Sequence, residues 1–108
     1  MTKSRMIFAF LGLTGFVPAA SAQSADPALG RRLAETVCSA CHQIDAASPD
    51  PGASSNAPSF VDISRMPSTN ELAIKVFLRS SHPTMPNIIL TPEEIDSVAA
   101  YIVGLTQK

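Results

Sequence analysis

The sequence lacks a second cysteine pair: its 108 residues hold Cys38 and Cys41, with His42 and His82 as the only histidines. A structural zinc site takes four thiolate or imidazole ligands at set spacings, so zinc is disfavoured. Basic clusters are missing too. In residues 23–108, six Lys and Arg side chains are scattered among nine Asp and Glu, a balance that argues against nucleic acid as a partner. No segment alternates apolar and polar residues as a strand would, and there is no internal repeat or low-complexity tract. Beyond residue 22 no apolar run is long enough to span a bilayer.

What is present begins with Lys3 and Arg5, followed by an apolar run over 6–17 and then Pro18, Ala19, Ala20, Ser21 and Ala22. A basic start, a short apolar stretch and an A-x-A site have the anatomy of a signal peptide, expected to be cleaved after Ala22. The run is too short for an ordinary membrane anchor, the competing reading. Cleavage would leave residues 23–108 as one small domain exported to the periplasm, without a membrane span. Such a chain has little room for a core and usually folds with help from a disulfide, a metal or a cofactor.

Helical patterning accounts for most of that domain. Asp26 and Pro27 suit a cap and first helical position, and Leu29, Leu33 and Val37 carry the first helix into Cys38. Residues 46–58 are rich in Pro, Gly, Ser and Asn and are expected to form an ordered loop. A second helix is expected from Ser68, with Glu71 completing a capping box. Its buried stripe is expected to be Leu72, Val76 and Phe77, with Ile74 and Leu78 alongside, and it ends before Pro83. The third starts at Thr91, Pro92, Glu93 and Glu94, where a capping hydroxyl, proline and acids all suit a helix N-terminus. Ile95, Val98, Ala99, Ile102 and Leu105 form its apolar stripe, with Tyr101 at the edge. The fold class is all-α.

The stretch CSACH, residues 38–42, then admits three chemistries. A disulfide between Cys38 and Cys41 would close a very short loop and restrain the unfolded chain little. A thioredoxin-like dithiol belongs near a βαβ pattern, and no strand is expected here. C-x-x-C-H is also the attachment motif of c-type haem, and this is the preferred reading. Each thiol adds across one haem vinyl group, Ser39 and Ala40 let the backbone span the two, and His42 is placed to ligate the iron.

Together, GRRLAETVCSACH, APSF and SHPTMPNIILTPEEIDSVAAYIVGLTQK resemble a small bacterial class I cytochrome c, over essentially all of residues 23–108. The resemblance implies a compact fold in which N- and C-terminal helices cross around one covalent haem c. It gives Gly30 and Tyr101 the roles of a glycine on the first helix and the aromatic residue that approaches it. Where family members often carry an aromatic residue, this chain has Ala34, which implies a crossing that is tighter or less rigid.

The sixth iron ligand is implied to be Met85, in the sequence PTMP between the last two helices, with His82 and Met66 as alternatives. A thioether there stabilises ferrous iron and raises the potential. Pro58 is implied to accept a hydrogen bond from the axial histidine. Phe60, Phe77, Leu78, Ile88 and Leu90 are expected to wall the haem, and Arg79 and Asn87 are candidates for contacts with its propionates or the methionine loop. Two strong axial ligands leave no open coordination site, which favours a one-electron carrier over an enzyme. The implied partners are periplasmic redox proteins, donors and acceptors, that dock transiently at a haem edge beside the thioethers and the 83–87 loop; the protein is expected to be a monomer. A dedicated subunit of a dehydrogenase or reductase, and a haem enzyme or gas sensor, are the other readings.

Overall fold

The computed structural model describes residues 24–52 and 56–106. The leader assigned to residues 1–22 lies outside them. Among the described residues, four helices and one π-helical turn make up the regular structure: α1 (Pro27–Leu33) running into the turn Ala34–Cys38, then α2 (Phe60–Arg65), α3 (Glu71–Leu78) and α4 (Pro92–Gly104). Among the described residues there is no strand, and no helix is long and apolar enough to cross a membrane.

Both ends of the fold start where the sequence says they should. Asp26 caps α1 by accepting from the Ala28 amide at 2.9 Å. At α4, Thr91 and Glu94 form a reciprocal capping box, Thr91 Oγ1 taking the Glu94 amide and Glu94 Oε2 taking the Thr91 amide. Each cap satisfies amides that a helix end otherwise leaves without partners.

These two helices cross closely. Gly30 on the first faces Ser97 and Tyr101 on the last, and Ala34, just past the end of α1, is almost wholly buried in one cluster with Val98 and Ala99. A Cβ at position 30 would overlap the Ser97 carbonyl and sit 2.9 Å from Tyr101 Cβ, so glycine is what permits the approach. Ser97 is buried, and its Oγ accepts from the Asp26 amide at 3.1 Å, which joins the start of α1 to the middle of α4.

The middle of the chain departs from the expected plan. A fourth helix, α2, occupies residues beyond the 46–58 loop; Ser59 caps it by accepting from the Asp62 amide and donating to the Asp62 carboxylate at 2.7 Å. At α3 the cap is Asn70, not Ser68: its side-chain oxygen takes the Ala73 amide at 2.9 Å. A turn closed by the Thr69 amide on the Met66 carbonyl uses up Pro67 and Ser68 first.

The buried face of α3 is also corrected. Ile74 is buried and Leu78 packs on the core, whereas Leu72, Val76 and Phe77 are 70%, 57% and 48% exposed. Both sets make a helical stripe; the Ile74 and Leu78 side is the one packed on the core, and beside it Lys75 pairs with Asp96 of α4 at 3.2 Å. Tyr101 was expected at the edge of its stripe and is instead buried, with Ile44, Phe60, Ile74, Val98, Ala99 and Ile102 in one core cluster.

Candidate functional site

The first helix loosens just before the cysteines. Over Ala34–Cys38 the backbone takes a π-helical turn, closed by the Ser39 amide on the Ala34 carbonyl at 2.9 Å. Thr36 Oγ1 bonds the Arg32 carbonyl and Ser39 Oγ the Glu35 carbonyl, back-bonding that competes with the regular ladder and bends it. Such a turn often marks a functional segment, because it redirects the side chains that follow.

Beyond it the chain makes one tight turn. The amides of Cys41 and His42 both bond the Cys38 carbonyl, at 3.1 and 2.9 Å, so Cys38, Cys41 and His42 sit at the i, i+3 and i+4 positions of one face. Cys38 is half-buried and Cys41 exposed. Burial pushes the Cys38 thiol up to about 11. This environment disfavours the thiolate.

His42 is held from a second direction. Its Nδ1–H donates to the Pro58 carbonyl at 2.8 Å, which fixes the tautomer and leaves Nε2 as the basic nitrogen. The ring of Phe60 lies 5.2 Å from that of His42 and 6.5 Å from that of Tyr101. Phe60 is buried, its amide bonding the Gln43 carbonyl at 2.9 Å. Cys38, Cys41, His42, Pro58 and Phe60 are thus brought into one site.

The other residues lie along α3 and the loop after it. Met85 and Ile88 are half-buried in that loop. Phe77 is stacked on His82, ring centroids 3.5 Å apart and 22° between planes. Leu78, Ile88 and Leu90 line a groove of about 310 Å³ together with Arg79 and Asn87. Asn87 Nδ2 donates to Ser81 Oγ at 3.4 Å within the same loop, and Arg79, exposed, ends α3. Met66, exposed, ends α2.

Sequence reasoning passed over the supports behind the histidine. Arg31 pairs with Glu35 at 2.8 Å and with Asp45 at 3.3 Å, and the Tyr101 hydroxyl donates to the Ile44 carbonyl at 3.2 Å. The spacing of Arg31 and Glu35 on a helix was a visible signal. The contacts to Asp45 and Ile44 join distant segments and left no local one.

The site therefore presents two sulfur side chains and an oriented imidazole on one helical turn, the donor set that covalent haem attachment requires, and the Nε2 of His42 is the nitrogen available to the iron. A chain of helices packed around such a turn has the make-up of a c-type cytochrome. The Cytochrome c family profile matches residues 27–106, and the chain belongs to that family; it carries covalent haem c with its iron and transfers electrons through it. Among curated proteins, it is 36% identical over 85 residues to cytochrome c-552 of Bradyrhizobium diazoefficiens, an alignment covering 79% of this chain and 80% of the relative. No solved structure matches the chain at a significant level.

Proposed function

We propose that this protein is a periplasmic single-electron carrier whose haem iron is ligated by His42 and Met85. The observation that carries the reading is the hydrogen bond from His42 Nδ1–H to Pro58 at 2.8 Å, directly after the cysteine turn. An imidazole anchored through one nitrogen presents the other as a strong, fixed ligand, and the accepting carbonyl raises its basicity. Cys38 and Cys41 tether the ring by thioethers. Met85 supplies the sixth ligand from the loop between α3 and α4, in preference to His82, whose ring is engaged with Phe77. Exposed apolar side chains of Leu72, Val76 and Phe77 give a large planar macrocycle apolar surface to cover.

Six-coordinate iron exchanges an electron with little change in geometry, which suits a carrier that docks transiently on redox proteins. Export by the leader over residues 1–22 puts that exchange in the compartment where c-type haem is attached. The ferric protein is expected to show the weak far-red absorption band of methionine ligation. Met85→Ala abolishes the band and lets the reduced protein bind carbon monoxide tightly, while His82→Ala and Met66→Ala keep it. A wild-type ferric protein without the band, with tight carbon monoxide binding gained in His82→Ala and not in Met85→Ala, would move the ligand to His82; tight carbon monoxide binding by the wild type would point to an enzyme or sensor.

A further inference from the structure

The segment that follows His42 is more heavily tied down than a surface turn requires. Ser48 Oγ accepts from the amides of Ile44 and Asp45 and donates to the Asp45 carbonyl, and Gln43 Nε2 donates to the Ser48 carbonyl at 3.0 Å. Asp45 Oδ1 takes the amides of Ala47 and Ser48 while Oδ2 faces Arg31 on α1. From α4, the Tyr101 hydroxyl reaches the Ile44 carbonyl in the core. Burial, with the Asp45 carboxylate next in importance, pushes the Tyr101 phenol up.

The same segment holds the partner of the histidine. The Gln43 carbonyl takes the Phe60 amide, so the strand of chain that carries Pro58 is fixed relative to residue 43, one position from His42. The ring of Phe60 touches both His42 and Tyr101. The imidazole and the carbonyl it bonds are therefore both mounted on residues 43–48, and those residues are mounted on α1 and α4.

We infer that residues 43–48 form a bracket that sets the plane of the His42 ring, with Tyr101 and Asp45 as its anchoring, positioning residues. This rests on His42 being the iron's histidine ligand. Removing either anchor lets the Pro58 carbonyl drift, weakens the Nδ1–H bond, and makes the imidazole a poorer donor to the iron. Ferric iron is then stabilised less and the potential rises.

The test uses the haem-loaded protein in three variants: Tyr101→Phe, which keeps the ring and removes only the hydroxyl; Asp45→Asn, which keeps an acceptor for Ala47 and Ser48; and Lys75→Met, which breaks the separate ion pair to Asp96. Proton NMR of the ferric state reads the hyperfine-shifted His42 ring signals, alongside the reduction potential and Tm. Displaced His42 signals and a raised potential in the first two, with wild-type values in Lys75→Met, support the bracket. A lower Tm with His42 signals and potential unchanged in Tyr101→Phe and Asp45→Asn overturns it. Absence of hyperfine-shifted His42 signals from the wild type would remove His42 as ligand, and the bracket with it.

Discussion

At position 30 two opposite effects of one methyl group can be compared. Alanine is favoured over glycine in a helix interior by up to about 1 kcal/mol. Here the added Cβ would meet the Ser97 carbonyl, a backbone atom of α4 that cannot rotate away. Overpacking of this kind costs about 1–3 kcal/mol and exceeds the gain in propensity because the obstacle is main chain. Gly30→Ala is therefore expected to lower Tm of the haem-loaded protein by on the order of 10 °C, measured by circular dichroism; an unchanged or raised Tm would mean that the two helices part at little cost. Cys38, Cys41 and His42 were legible because their chemistry is written in five consecutive positions. The roles of Asp45 and the Tyr101 hydroxyl were not, since Tyr101 and Ile44 are 57 positions apart and nothing local marks either as a partner.

Among the elements, those with unambiguous ends were the ones read correctly. Asp26 with Pro27, and Thr91 with Pro92 and Glu94, each offer a single capping solution, and the structure uses it. Before α3 two solutions compete. Ser68 with Glu71 makes a good capping box, yet Asn70 is an equally strong cap, and the turn over Met66 to Thr69 decides in its favour. The pair of substitutions Asn70→Ala and Ser68→Ala separates them: the first is expected to destabilise by about 1 kcal/mol in urea unfolding, the second by under about 0.5 kcal/mol. A reversed order would return the start of the helix to Ser68. The face of α3 escaped for a related reason. Apolar residues surround most of its circumference, so periodicity alone offers two stripes, and packing on distant core residues, which leaves no local signal, chooses between them. The short helix α2 was missed although Ser59 and Asp62 carry an N-terminal signal, because one turn and a half has too little pattern to read.

For the whole molecule, the question is what holds so small a domain together. Among the described residues the buried apolar ones are Ala34, Ile44, Phe60, Ile74, Ile95, Val98, Ala99, Tyr101 and Ile102, two of them aromatic. The described ion pairs, Arg31 with Glu35 and Asp45, and Lys75 with Glu71 and Asp96, all have at least one well-exposed or partly exposed partner, and pairs of that kind contribute about 0–1 kcal/mol each. Neither source has much margin over the chain entropy of a domain this size. The larger share must come from apolar contact with the haem, which its two thioether bonds keep in place. A Cys38→Ser, Cys41→Ser chain made without haem attachment is accordingly expected to lose most of its helical circular dichroism and its cooperative thermal transition, while the attached form keeps both. A double variant that unfolded at the same temperature and with the same cooperativity as the haem-loaded protein would place the stability in the helix crossing at Gly30 instead.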